Sequence, residues 1–287
     1  MILCVGSINV DLVYRLADLP GPGETLAARS FSRGLGGKGA NQSVAAARAG
    51  AEVTHFCPVG ADAADLLAQM AAAGVRHAGP VLEDQANGHA SVWVSERSGE
   101  NVIAIHAGTN AMITMDALAS VCAELGPGDW VMLQNEVNLV DQAARLSREK
   151  GASVVYSAAP FEVAAVEAVL PHITHLLMNE GEDRAFRDAG LTVPENVAQI
   201  VTKGPNGAEW RSADVRFSSP ALPVAQVVDT TGAGDCFAGN LVAALARGAD
   251  TAKAMRWAQA AASVQISREG AAPAMPRREE TQRALEA

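Results

Sequence analysis

Apolar and polar positions change period along the chain, and each change marks an element. Residues 2–5, 53–56, 130–133, 153–156 and 173–178 are short, nearly continuous apolar runs, the pattern of strands buried on both faces. Between them, apolar residues recur at helical spacing over 41–49, 63–73, 140–150 and 163–170. Residues 224–228 read as a further buried strand, followed by a helix over 237–247 whose apolar positions are 237, 241, 242 and 245. A weak pattern over 197–201 leaves room for one strand, 252–267 predicts a long Ala-rich helix, and 277–287 a charged terminal helix. Strands alternating with helices predict an α/β fold with a mostly parallel sheet between two helical layers. Two stretches break the alternation. Residues 12–34 hold Pro20, Pro22 and several glycines between β-like pieces, and 87–107 hold a strand pair around a Ser98-Gly99 turn. Together they read as a small β lid within one domain spanning 1–287.

Ligands of such sheets bind beyond the carboxyl ends of the strands, and the candidate chemistry collects there. Gly232, Ala233 and Gly234 sit in a predicted strand-to-helix turn, where free N–H groups and the helix dipole favour an anion. Asp235 beside that site is a general base next to a transferring phosphoryl group, or a helix cap. Asn9 and Asp11, two residues apart, point the same way and suit hydroxyl recognition or an Asx turn. Gly36 and Gly37 bring backbone amides close to a small polar ligand, with Asn41 in the next helix's first turn. Lys38 offsets phosphate charge or faces solvent. Glu136, Asn179 and Glu182 lie just past other strand ends, on the same rim. Asn179 and Glu182 share a helix face and suit Mg²⁺ held through water. His172 and His175 have metal-like spacing but lack a third ligand. Gly34 to Gly39 match G-x-G-x-x-G, yet no buried strand precedes them and no acid ends the next strand, so a dinucleotide site is not expected; the Walker pattern fails because Gly39 follows Lys38.

Composition narrows the partners. With 287 residues, 49% of them hydrophobic, the chain can bury a large core. A net charge of -10 argues against nucleic acid but not against a nucleotide, whose phosphates can be held by amides and a metal. Cys4, Cys57, Cys122 and Cys236 form no C-x-x-C pair and fit a reducing cytoplasm. No apolar run suggests a membrane span, and no leader pattern precedes Gly6.

Asp229-Thr230-Thr231-Gly232-Ala233-Gly234-Asp235-Cys236-Phe237 resembles the C-terminal signature of the ribokinase family, the phosphofructokinase-B type carbohydrate kinases. Gly36-Gly37-Lys38-Gly39-Ala40-Asn41-Gln42 resembles a second, independent motif of that family, and Asn179-Glu180-Gly181-Glu182 its Asn-x-x-Glu element. Lesser matches at 6–11, 99–102 and 105–108 extend the resemblance over nearly the whole chain. It implies a ribokinase-like three-layer sandwich with a β lid that often doubles as a dimer surface. It implies an ATP-dependent kinase for a sugar's primary hydroxyl, ribose first. Fructose, 2-keto-3-deoxygluconate, nucleosides and pseudouridine are the alternatives within the family, and a non-catalytic sugar-binding regulator lies outside that class. On this reading Asp235 is the base and the amides of Gly232, Ala233 and Gly234 hold the phosphoryl group. Asn9, Asp11, Gly36, Gly37, Lys38, Asn41 and Glu136 hold the sugar. Asn179, Thr202, Lys203, Gly204, Gly207 and Gly234 line the nucleotide side, although an apolar residue is commoner at Lys203. Asn179 and Glu182 serve Mg²⁺. Asp229, Thr231, Arg268 and Gly270 serve a monovalent cation, with K⁺ expected.

Overall fold

A computed structural model describes residues Met1–Glu286. A nine-stranded sheet runs through the molecule in the order Arg216–Ser219, Ala208–Arg211, Ala198–Thr202, His175–Asn179, Ser153–Ser157, Trp130–Gln134, Ile2–Val5, Val53–Phe56, Val75–His77. All pairings are parallel except the two that add the strands after residue 202. The first strand is therefore interior, hydrogen-bonded on both sides, which is why all four of its residues are buried. Its alternate side chains feed different layers. Ile2 and Cys4 pack with Val44 and Val242, from helices Lys38–Arg48 and Ala233–Ala246. Leu3 and Val5 pack with Leu118, Ala143 and Val166 on the other face. The expected three layers are present.

The chain leaves the first strand through Gly6–Ile8 and enters a second sheet of four strands, ordered Ser30–Gly36, Asn9–Leu16, Gly88–Ser95, Asn101–His106. Asn9 and Asp11 thus belong to this sheet and not to a turn behind the first strand. Its outer strand, Asn101–His106, is exposed along its whole length and leaves one edge unpaired.

One expected strand is absent. Residues 224–228 form no strand, and Val227 and Val228 are 55% and 52% exposed. The run is apolar, but among the described residues no sheet edge receives it and its one backbone tie is the Val228 N–H to the Ile266 carbonyl, at 2.8 Å. Helix Met115–Cys122 and the strands Val75–His77, Ala208–Arg211 and Arg216–Ser219 were not expected. Their apolar patterns are short or mixed with charge, and neighbours decide them.

Candidate active site

Helix Ala233–Ala246 starts from Gly232, held at φ 77°, a left-handed backbone that side chains rarely adopt. A Cβ on Gly232 would also lie 2.7 Å from the Ala271 Cβ, so the turn needs glycine. The Ala233 N–H donates to the Thr230 carbonyl at 3.2 Å. The N–H groups of Gly232, Gly234 and Asp235 find no acceptor among the described residues, at the positive end of the helix. The expected amide trio is corrected accordingly: the Ala233 N–H is engaged, and that of Asp235 is free.

Asp235 does not cap this helix, which has no side-chain cap. Its carboxylate faces helix Lys38–Arg48, where Asn41 Nδ2 donates to Oδ2 and Gln42 Nε2 to Oδ1, each at 3.1 Å. Withdrawal from water pushes its pKa up to about 6; Lys38 and the two amides oppose the rise and Glu136 adds to it. Gln42 is oriented from behind, because Gln134 Nε2 donates to its Oε1 at 2.7 Å and so turns its NH₂ toward Asp235. Asn41 is buried, and its Oδ1 has no partner, an acceptor suited to a hydroxyl.

Asn9 and Asp11 approach from the second sheet. Asn9 Oδ1 accepts from Asn110 Nδ2 at 2.7 Å. Asp11 sits where Gly36 has no side chain: a Cβ there would lie 2.1 Å from the Asp11 carboxyl. Burial pushes the Asp11 pKa up to about 6, Glu136 adding to the rise and Lys38 opposing it. Glu136 Oε2 accepts from the Ser7 hydroxyl and the Lys38 N–H, and its Oε1 lies 3.9 Å from Lys38 Nζ. Burial also raises the Glu182 carboxyl, against the Asn179 N–H and Lys38. One ammonium thus stands among Asp11, Glu136, Glu182 and Asp235.

Strands His175–Asn179 and Ala198–Thr202 end together, with Asn179 opposite Thr202. Asn179 Oδ1 accepts the Glu182 N–H at 2.9 Å, and Glu182 Oε2 the Asn179 N–H at 2.8 Å. Lys38, Asn179, Glu182, Thr202, Gly234 and Asp235 line one cleft. Its donors are hard oxygens with surplus negative charge, and no cluster of three ligating side chains exists among the described residues. That set fits Mg²⁺ held mainly by phosphate and water. Lys203 turns away from the cleft to Glu209, Nζ to Oε1 2.5 Å, while Gly204 and Gly207 shape the turn beside it. Asp229, Thr231 and Gly270 come together: Asp229 Oδ1 accepts the Thr231 N–H at 2.8 Å and Oδ2 the Gly270 N–H at 2.9 Å. The Arg268 side chain pairs with Glu280 at 2.5 Å. His175 packs against Trp130 and Trp210, with ring centroids 5.2 Å away in each case, and burial lowers its pKa to about 4.

Ser7, Gln42, Gln134 and Ser157 also belong to the site and escaped sequence reasoning. The signal was present in two of them: Gln134 and Ser157 are polar ends of otherwise apolar strands, both at the carboxyl rim.

Residues 1–278 match the family model described as pfkB family carbohydrate kinase. The chain belongs to that family. Ribokinase of Bacillus subtilis is 34% identical over 295 residues, covering 99% of this chain and 99% of its own. Ribokinase of Haemophilus influenzae is 30% identical over 301 residues, covering 98% and 97%. Among solved structures, Arabidopsis thaliana ribokinase complexed with ribose and ATP superposes with a TM-score of 0.84 at 27% identity, covering 100% of this chain and 98% of that one. The fold is ribokinase-like, and as a pfkB member the chain is a carbohydrate kinase.

Proposed function

We propose that the chain transfers the γ-phosphoryl group of ATP to the primary hydroxyl of ribose, giving ribose 5-phosphate and ADP. The observation that carries this reading is the Asp235 carboxylate, fixed by Asn41 and Gln42 beside the unpartnered N–H groups at a helix start. Asp235 takes the proton of the hydroxyl as its oxygen attacks the γ-phosphorus. The N–H groups of Gly232, Gly234 and Asp235 receive the charge that gathers on the phosphoryl oxygens. Asn9, Asp11 and the free Oδ1 of Asn41 hold the remaining hydroxyls, with Gly36 and Gly37 giving backbone access. Lys38 and Glu136 fix the floor of the sugar side, and Lys38 offsets phosphate charge. Asn179, Thr202 and the turn Lys203–Gly207 form the nucleotide side. Mg²⁺, when bound, neutralises phosphate charge, and Asn179 and Glu182 would hold it through water.

We read the chain as one domain with 12–34 and 87–107 as a lid that excludes water from the closed site. Phe31, Val102, Ile103 and Ile105, each more than half exposed, make that lid an apolar surface suited to a second copy of the chain. No helix among the described residues is long and apolar enough to cross a membrane. The four cysteines are free and buried, which supports a reducing, cytoplasmic setting.

The test is ADP release with ribose, deoxyribose, fructose, 2-keto-3-deoxygluconate and nucleosides as acceptors. The highest kcat/KM is expected for ribose. A nucleoside preferred over ribose would move the assignment within the family, and no acceptor at all would favour a regulator.

A further inference from the structure

Membership of this family implies a monovalent cation between the Asp229 turn and the loop through Gly270, and the donors for it do not fit. Such an ion needs oxygen lone pairs free to face it. Each carboxylate oxygen of Asp229 already turns one lone pair to a backbone N–H. The carbonyls of Thr231 and Gly270 converge, but a side-chain N–H group and not open space lies between them. The fully buried Gln265 donates from Nε2 to the Thr231 oxygen at 2.7 Å and to the Gly270 oxygen at 3.1 Å. A primary amide carries two N–H donors, and two carbonyls receive them.

We propose that the side-chain amide of Gln265 takes the place of the monovalent cation in this chain, so that the phosphate-binding turn is ordered without K⁺. A cation between two loops would draw their carbonyls onto one positive centre. The Gln265 NH₂ does the same with its partly positive hydrogens, and it is covalently attached to helix Thr251–Gln265. The amide's orientation follows from electrostatics. Turned over, its Oε1 would face the Thr231 and Gly270 oxygens, setting three acceptors together with nothing between them. The observed orientation instead leaves Oε1 buried without a partner, a smaller penalty than that convergence. The bridged loops already touch where Gly232 meets Ala271. The same turn supplies the Gly232, Gly234 and Asp235 N–H groups, so whatever ties it down sets their aim.

The effect on rate rests on the kinase reading, but the effect on stability does not. The test therefore records melting temperature without substrates alongside phosphorylation rate. KCl, NaCl and tetramethylammonium chloride are compared at equal ionic strength, because screening alone alters charged-ligand binding. For the wild-type chain the melting temperature should be the same in the three salts and the rates within about twofold, less than the tenfold that 1.4 kcal/mol would give. Gln265→Glu keeps the shape and replaces the donor with an anionic oxygen. This variant should melt lower and work at least about tenfold slower in tetramethylammonium, and should recover in K⁺. Several-fold activation or clear stabilisation of the wild type by K⁺ would overturn the proposal. So would a Gln265→Glu chain as stable and active in tetramethylammonium as the wild type. Should Gln265→Glu fail to fold in every salt, Gln265→Ala replaces it. Loss in tetramethylammonium with recovery in K⁺ supports the proposal, and full activity in tetramethylammonium refutes it. If no acceptor is phosphorylated, the melting comparison still decides.

Discussion

The chemistry proposed for Asp235 depends on what surrounds it. A carboxylate in water would be a weak base; here its pKa stands near 6, close enough to neutrality to be ionised and still take a proton. Asp235→Asn keeps the size and removes the base, so kcat should fall at least about 10²-fold while ribose binding by calorimetry persists. A variant with near-normal kcat would end the assignment. Gln42 gives a second, independent check. Its NH₂ stabilises the ionised form of Asp235, so Gln42→Leu should raise the Asp235 pKa further. The base acts only when deprotonated, and activity is therefore lost as pH falls through its pKa. The acid limb of the kcat/KM profile, near pH 6 in the parent, should move to higher pH in the variant. A loss of rate with an unmoved limb would make Gln42 a packing residue and no more.

At the level of elements, the site is a meeting of a strand, a glycine turn and two helix starts. The Gly36 strand end passes so close to Asp11 that one methyl group would displace the carboxyl. The obstacle is the end of a side chain and not backbone, so the fold should tolerate Gly36→Ala with little change in melting temperature. Sugar affinity should not: losing a charged hydrogen bond costs about 1.5–3 kcal/mol, or roughly ten- to a hundredfold in KM for the sugar with that for ATP unchanged. Equal rises for both substrates would point to general distortion. The same elements show what the chain discloses in one dimension. Asp235 and Asn41 were legible because each lies in the first turn of a helix that glycines introduce, where the chemistry is local. The helices from 38 to 170 were legible as periods, with the exception of Met115–Cys122. Gln42 was not, because its amide is aimed by Gln134, 92 positions away. Residues 224–228 misled because an apolar run reports affinity for a core and not the presence of a partner strand. Gln265 escaped for a similar reason: it closes an otherwise Ala-rich helix, and its partners lie in two other loops.

The whole molecule is a mostly parallel sheet carrying a smaller sheet on one end of its first strand. The exposed edge Asn101–His106 brings Val102, Ile103 and Ile105 into water, an arrangement that soluble proteins usually cover. Ile105→Asp puts a charge in the middle of that surface. Sedimentation should show a dimer for the parent and a monomer for the variant, with the melting temperature of the central sheet little changed. A parent chain that sediments as a monomer at all concentrations would remove the lid as an interface.

The bonds that fix Asp235 join residues 194 and 193 positions apart. During synthesis Asn41 and Gln42 emerge early and Asp235 emerges late. The first strand, too, must wait for the strand at Trp130–Gln134 before both its edges are filled. A ribosome that stops between Glu136 and Asp235 releases a chain that holds the proposed sugar-side residues and lacks the proposed base. On the function proposed above, such a chain is not expected to turn over ATP.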